Sequence, residues 1–397
     1  MEVTLVIFVT IFYYLTLPMD SKRVVYIPKG STSNAISYLN QNGYSLNFID
    51  RVTLFFIGYP QSGWVDMGKR SEVGKITKLD FLYKIATSKA ALATVVLIPG
   101  ETYYFFLNEL SQKLKLPKDE LFKVYYELAY KKDGNIMAQT YNLPIGMNPR
   151  DVLKYLFQYT EEEYQKYSMK IFGKYNKDEW YRYITIASIV QKESGSKEEM
   201  TQVSGVIYNR LAKKMRLQMD GTLNYGEFSH TRVTPTMIAN DESSYNTYKF
   251  GGIPTDPICA VEFSAIKAAL FPAKNSYLFF MKNITGKGHS FATNYDSHKA
   301  NIQEVVTTKK IEKANDTNKE NTNKTKENKI PLEKEKNNKP QNVKNEFDPK
   351  QKPAKIPENS SKQKPSNDKK VYDKLHKETP KKENKQQNQT KELWKNI

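Results

Sequence analysis

Apolar residues along this chain fall into patterns that predict different elements. Val3-Thr-Leu-Val-Ile-Phe-Val-Thr-Ile-Phe-Tyr-Tyr-Leu-Thr-Leu17 is continuous and uncharged and, with Met19, approaches the ~20 residues that span a hydrocarbon core. It predicts a membrane anchor over residues 1–20. A cleaved signal peptide would need a basic leading stretch and a small-x-small cleavage site, and the run has neither. The next pattern is a phrase that occurs twice. Val24-Val-Tyr-Ile27 reads as a strand and Pro28-Lys-Gly30 as a turn, after which Ser31 caps a helix carrying Ile36, Leu39 and Asn40. About 70 residues on, Thr94-Val-Val-Leu-Ile-Pro-Gly100 is followed by Thr102, a helix from Phe105 to Leu114, Leu116-Pro117 and a helix from Glu120 to Tyr130. Two approximate copies so far apart predict a pair of small α/β modules, not a solenoid.

Arg150 to Lys177 predicts an amphipathic helix rich in aromatics, among them Tyr155, Phe157, Tyr159, Tyr164 and Tyr167. It leads into Tyr183-Ile-Thr-Ile-Ala-Ser-Ile-Val-Gln-Lys-Glu-Ser-Gly195, a mostly apolar helix with a carboxylate set among its apolar residues. Ile186, Ile189, Val190 and Glu193 stand at i, i+3, i+4 and i+7 and so share one face. Glu193 therefore points where the isoleucines point. Desolvation penalises a charged carboxylate, so a carboxyl held there stays protonated near neutrality and can act as a general acid. Ser196 to Glu199 reads as a capping box that opens a second helix with Met200, Val203, Ile207 and Leu211 as its inner stripe.

That second helix carries Asn209 and Arg210 on its polar face, and the loop Leu217-Gln-Met-Asp-Gly-Thr-Leu-Asn-Tyr-Gly226 adds more hydrogen-bonding side chains. So many of them after a semi-buried carboxyl suggest a cleft for a hydroxyl-rich ligand. A Ser/Thr/Pro-rich passage runs to Ser244, and Tyr245-Asn-Thr-Tyr248 with Gly251-Gly-Ile-Pro254 forms a turn-rich loop. Ala265 to Phe271 reads as a helix stopped by Pro272, and Tyr277 to Met281 as a strand. Gly286-Lys-Gly288 is a tight turn presenting His289, and Asp296-Ser-His298 opens the last helix.

Composition changes this picture in two places. The net charge of +18 points to an anionic partner, yet half of the surplus lies beyond Ile311, and neither half is basic enough to require nucleic acid. From Lys309 onward Lys, Asn, Glu, Gln and Pro dominate, with Phe347, Tyr372 and Trp394 as the aromatics; such a tail cannot bury enough apolar surface to order itself. The fold should therefore not need it. A single cysteine, Cys259, excludes an intramolecular disulfide and reads as a small buried hydrophobe.

The chemistry narrows by elimination. His289 and His298 have no further His or Cys near them in sequence, short of the three protein ligands that zinc needs, so no metal is assigned. Ser188 lies in no Gly-x-Ser-x-Gly elbow, and no phosphate-cradling glycine pattern opens a helix, so no cofactor is expected. One carboxylic acid amid hydroxyls and amides is the equipment of glycosidic-bond chemistry. Hydrolysis would need a second carboxylate, for which Asp220 is the candidate. The alternative needs only one: the substrate's own C6 hydroxyl attacks C1 while a single Glu protonates the leaving oxygen and then accepts the hydroxyl proton.

Ala187-Ser-Ile-Val-Gln-Lys-Glu-Ser194, Val206-Ile-Tyr-Asn-Arg-Leu211, Leu217-Gln-Met-Asp-Gly-Thr222 with Tyr225-Gly226, Tyr245-Asn-Thr-Tyr248, Gly252-Ile-Pro254 with Pro257-Ile258, Ala268-Ala269 with Pro272, and Gly288-His-Ser-Phe291 with His298 come in one order. That series resembles the endolytic murein transglycosylases, the MltG or YceG-like family, over Val24 to Val305. The resemblance implies Glu193 as the catalytic residue and an inner-membrane, single-pass protein with its catalytic part outside the cytoplasm. It also implies a LysM-like module before the catalytic domain. The expected class is α+β: an anchor over 1–20, an α/β region with the LysM-like module over 21–140, a mixed α/β catalytic domain over 141–308 and a disordered tail over 309–397. Asn209, Arg210, Gln218, Asp220, Thr222, Tyr225, Tyr245, Asn246, Thr247 and His289 are the expected substrate-binding residues. Expected partners are peptidoglycan glycan strands, peptidoglycan synthases and the membrane; the non-enzymatic alternative is a cell-envelope protein that only binds peptidoglycan. The chain departs from the family pattern at Gln191, where an acid is usual, at Gly221, where proline is usual, and at Cys259-Ala-Val-Glu262, where Asn-Pro-Gly is usual.

Overall fold

A computed structural model describes residues 2–68, 76–286, 288–320 and 351–357. The chain opens with helix α1 (Glu2–Thr16) and the short strand β1 (Pro18–Met19). Strand β2 (Val24–Ile27) enters helix α2 (Thr32–Gln41) through Ser31, whose hydroxyl accepts the Asn34 N–H as the sequence suggested. Helix α3 (Phe48–Ile57) begins with a capping box between Asn47 and Asp50, and strand β3 (Gly63–Asp66) returns antiparallel to β2 with Val25 opposite Val65. Strand β4 (Ile76–Thr77) pairs with β1, and helix α4 (Lys78–Thr87) closes a core of Val25, Ile27, Leu39, Leu54, Met67, Phe81 and Leu82.

The same order of elements then recurs. Strand β5 (Leu92–Val96), helices α5 (Tyr103–Leu114) and α6 (Lys118–Leu128) and strand β6 (Thr140–Pro144) form a second β-α-α-β unit, again with its two strands antiparallel. The repeated phrase in the sequence is therefore a repeated topology. The expected boundary after residue 140 falls inside β6, whose partner β5 belongs to the preceding region. Helix α7 (Pro149–Phe172) joins this unit to a third core: Val152, Leu153 and Leu156 complete the second unit's core, while Tyr164 and Tyr167 belong to the third.

Helix α8 (Lys177–Glu193) is the centre of the third region. Trp180, Tyr181 and Tyr183 to Val190 are all buried, so the helix is covered on every side and not along one stripe. Helices α9 (Met200–Ala212), α10 (Pro235–Asn240) and α11 (Phe263–Leu270), the hairpin of strands β7 (Phe279–Lys282) and β8 (His289–Ala292), and helix α12 (Tyr295–Glu320) complete it. Among the described residues every sheet has two strands, so the class is α+β with no extended sheet. Helix α10 lies in the Ser/Thr/Pro-rich passage, to which the pattern assigns no element; six residues headed by Pro235 are too few to show a periodicity.

Three expectations change. α1 spans 15 residues, about 22 Å at 1.5 Å per residue against a ~30 Å hydrocarbon core, and no helix among the described residues is long and apolar enough to cross a membrane. The capping box at Ser196 does not form: Glu199 is itself the N-cap of α9, and its carboxylate bonds elsewhere. The tail expected to lack structure continues α12 as far as Glu320, and residues 351–357 lie against the body. There Ala354 donates its N–H to Leu270 O at 2.7 Å and accepts the Tyr183 hydroxyl at 2.9 Å, while Ile356 packs on the third core. Residues 321–350 and 358–397, with Phe347, Tyr372 and Trp394, and Lys287 of the expected turn lie outside the described residues.

Truncation after Glu320 removes those contacts. Half-burying one isoleucine contributes about 1–2 kcal/mol, so the truncated chain should melt roughly 2–8 °C below the full one by calorimetry. Ile356→Asp in the full chain should show most of that loss, and equal melting temperatures for all three would mean that the segment does not hold the fold.

Candidate functional site

Glu193 is the last residue of α8, and the buried helix behind it fixes its place. Gln191, where an acid was absent, accepts the Glu262 N–H at 3.3 Å just ahead of α11, so on that turn Glu193 carries the acid. Its head group meets the 3-10 turn Asp220–Leu223, where the Gly221 N–H donates to Glu193 Oε1 at 2.7 Å. The approach is close: a Cβ on residue 221 would stand 2.8 Å from Glu193 Oε1 and 3.0 Å from Lys192 Cβ, so a larger residue would push the carboxyl aside. A proline there would also lack the N–H.

The turn is held from beneath. The Thr222 hydroxyl donates to Met219 O at 2.7 Å and lies 2.9 Å from the Thr247 hydroxyl, which accepts the Met219 N–H at 3.1 Å. Gln218, exposed and left-handed at φ 50°, donates its N–H to Thr247 O at 3.2 Å. Asp220 is exposed beside the carboxyl and accepts the Tyr248 hydroxyl at 2.6 Å.

Glu193 as a residue keeps some surface open to solvent, but burial of its carboxyl is the largest influence on it and raises its pKa from 4.5 to about 7. The Gly221 N–H pulls it back, the Asp220 charge pushes it up and Lys192 pulls it down. A carboxyl raised to about 7 can exchange its proton near neutral pH, the property a general acid or base needs. Tyr248 is raised by burial first and then by its bond to Asp220, so its phenol stays protonated.

Other expected site residues are placed as supports. Arg210 is 7% exposed; it donates to Leu278 O at 2.6 Å, Leu217 O at 2.9 Å and Arg216 O at 3.0 Å, and its guanidinium lies 5.1 Å from the centre of the Phe279 ring. The Asn209 amide donates to Tyr277 O at 2.9 Å and Asn275 O at 3.0 Å. Both residues fasten the approach to β7 onto α9. Asn246 is buried with its amide on Ile238 O and Asp241 O, and Tyr245 is buried with its ring stacked 4.1 Å from that of Tyr225, whose hydroxyl reaches Asp241. His289 places Nδ1 2.8 Å from Glu199 Oε1 and gives its N–H to Glu199 Oε2 at 3.1 Å; the same carboxylate accepts the Gly195 N–H. Glu199 thus ties the loop after Glu193 to β8.

Glu193, Gly221, Asp220 and Tyr248 come together at one place, with Thr222 and Thr247 below. Sequence reasoning missed the Gly221 N–H, Tyr248 and Glu199. Tyr248 stands in the Tyr245-Asn-Thr-Tyr248 motif and could have been found there, whereas a backbone donor leaves no side-chain signal. A cavity of about 600 Å³ lies elsewhere, lined by Lys22, Arg23, Gly43, Tyr44, Met147 and Asp151, and Glu193 does not face it.

Fold and site together define a protein with a carboxyl held at the end of a core helix, preceded by two small β-α-α-β units. The chain belongs to the YceG-like family, whose model matches residues 25–304. It is 28% identical to an endolytic murein transglycosylase of Bacillus subtilis over 299 residues, which is 68% of this chain and 81% of that protein. An endolytic murein transglycosylase of Streptococcus pneumoniae is 30% identical over 131 residues, 32% of this chain and 24% of that one. A crystal structure of a yceG-like protein from Listeria monocytogenes, 24% identical, covers 71% of this chain and 99% of its own at a TM-score of 0.47.

The raised pKa carries a cost in stability that depends on pH. The unfolded chain releases the Glu193 proton near pH 4.5 and the folded one near 7, so stability falls as pH rises between those values. Glu193→Gln should therefore match the native chain in denaturant melts at pH 4 and exceed it at pH 8 by roughly 1–3 kcal/mol, after allowance for the partial exposure of the residue. Gly221→Ala should lower turnover at least about tenfold with little change in melting temperature, because the added methyl displaces the carboxyl; full turnover would sever Gly221 from the site.

Proposed function

We infer that this chain is a lytic transglycosylase that cleaves the glycan of peptidoglycan inside the strand. The observation that carries the reading is the buried Glu193 carboxyl, with a pKa of about 7 and the Gly221 N–H at 2.7 Å. The family membership and the printed activity of the Bacillus subtilis and Streptococcus pneumoniae relatives support it.

In this mechanism protonated Glu193 gives its proton to the oxygen between MurNAc C1 and GlcNAc, and positive charge develops at C1 as that bond breaks. The carboxylate left behind is stabilised by the Gly221 N–H. It then accepts the proton of the MurNAc C6 hydroxyl while that oxygen bonds to C1. The products are a GlcNAc end and a 1,6-anhydroMurNAc end; no water is consumed and Glu193 is protonated again. Asp220, tied to the Tyr248 hydroxyl, orients sugar hydroxyls and raises the Glu193 pKa by its charge. Gln218, exposed on the same loop, lines the glycan cleft.

The wider reading places the enzyme on nascent strands, where cutting ends elongation, with peptidoglycan synthases as neighbours. The exposed, uncharged apolar face of α1 supports attachment to the cell membrane with the catalytic part outside, although α1 by itself is shorter than the hydrocarbon core. The two β-α-α-β units are LysM-like, since each sets two helices against an antiparallel pair of strands.

Glu193→Gln should abolish release of anhydro-ended muropeptides from isolated murein while leaving murein pull-down intact. Release at the native rate would remove Glu193 from its role, and absence of release by the native chain would favour a protein that only binds. Digestion in heavy-oxygen water separates the two reaction types. Anhydro products take up no label and are one water lighter than hydrolytic ones; labelled reducing ends as the main product would mean hydrolysis, with Asp220 as the second carboxylate.

A further inference from the structure

Helix α3 turns a row of large apolar side chains toward solvent. Phe48, Val52, Phe55 and Phe56 stand at i, i+4, i+7 and i+8, on one face, and are 75%, 38%, 67% and 79% exposed. Tyr59 follows just past the helix and is also exposed, as is Tyr83 on α4. The opposite side of α3 is already occupied, with Leu54 and Asp50 fully buried in the unit's core. The helix therefore has an inner apolar side that packs and an outer one that does not. Exposed apolar residues scattered singly are ordinary, whereas a row of phenylalanines marks an interface.

A neighbouring helix bears on what could cover that face. α1 has no buried residue, and from Val3 to Tyr13 its large apolar side chains stand free of the body. Its far end is fastened to α3 directly. The Tyr14 hydroxyl donates to Asp50 Oδ2 at 2.8 Å, Lys78 Nζ lies 3.2 Å from the same oxygen and also bonds the Tyr14 hydroxyl, and Leu15 and Met19 pack on the unit's core. An apolar helix fixed in this way carries α3 with it wherever it inserts. A helix of 15 residues also falls short of the hydrocarbon thickness, and an aromatic face at the boundary of headgroups and acyl chains is the usual complement. Arg51, exposed on the same helix, supplies a charge for the headgroups.

We propose that the outer face of α3 lies in the membrane interface, so that the first β-α-α-β unit sits on the bilayer through Phe48, Phe55, Phe56 and Tyr59 beside the inserted α1. The occupant is lipid, and the inference rests on α1 being an anchor. The unit then has a fixed height and tilt above the membrane, not a swivelling attachment.

Cys259, the one cysteine of the chain, is buried, so an introduced cysteine can be labelled selectively. Full-length Phe56→Cys and, as a control on the second unit, Ile98→Cys would each carry an environment-sensitive fluorophore and be reconstituted with vesicles of phosphatidylethanolamine and phosphatidylglycerol. The label at 56 should shift to the blue, be quenched by nitroxides on the acyl chains and lose several-fold of its accessibility to iodide, while the label at 98 stays aqueous. A chain that floats with its vesicles yet leaves the label at 56 as open to iodide as that at 98 overturns the inference and leaves the anchor standing. Failure to float overturns both. Shielding from iodide without quenching by lipid nitroxides would mean that a second copy covers the face, which also overturns it.

Discussion

The bond from the Gly221 N–H to the Glu193 carboxyl is the contact on which the site depends. A carboxyl at the end of a packed helix is penalised for its charge, and one backbone donor offsets part of that penalty without abolishing it. The balance leaves the group able to release and recover a proton near neutrality. A second strong donor would hold it ionised, and no donor would hold it neutral. Glycine lets the turn come this close, and a Cβ at residue 221 would push the carboxyl aside.

Much of the surrounding structure serves to keep that turn where it is. Thr222 and Thr247 join it to the Tyr245–Tyr248 loop through hydroxyls that are fully buried and paired with each other. Arg210 gives its donors to carbonyls on both the loop and the approach to β7, so a buried cation here acts as a bracket. Its charge is dispersed over several carbonyl dipoles and an aromatic face, which makes its burial tolerable. Glu199 performs the corresponding task on the other side, joining Gly195 to His289.

The three cores share elements instead of meeting at plain linkers. α7 gives its first half to the second unit and its second half to the third core, and the Thr102 hydroxyl donates to Gly226 O across the same junction. The 351–357 segment adds a clasp across Tyr183 of α8 and Leu270 at the end of α11, the helix packed against α8.

Periodicity and composition in the sequence were enough to locate the central helix, its terminal acid, the first strand and helix of each β-α-α-β unit and the apolar start of the chain. These are properties of spacing along one element, and helix and strand geometry converts spacing directly into a face. The rest depended on what distant segments present to each other. Arg210 and Asn209 read as polar-face residues facing a ligand because a sequence does not show that β7 returns to cover them. Ser196 and Glu199 fit a local cap, but His289, ninety residues later, offered Glu199 a stronger set of donors. Lys352 to Pro357 looked like the rest of a polar tail until Leu270 and Tyr183 supplied partners for its backbone. The Gly221 donor left no mark at all, since a main-chain N–H is present at nearly every position, and only the tertiary fold decides which of them meets the acid.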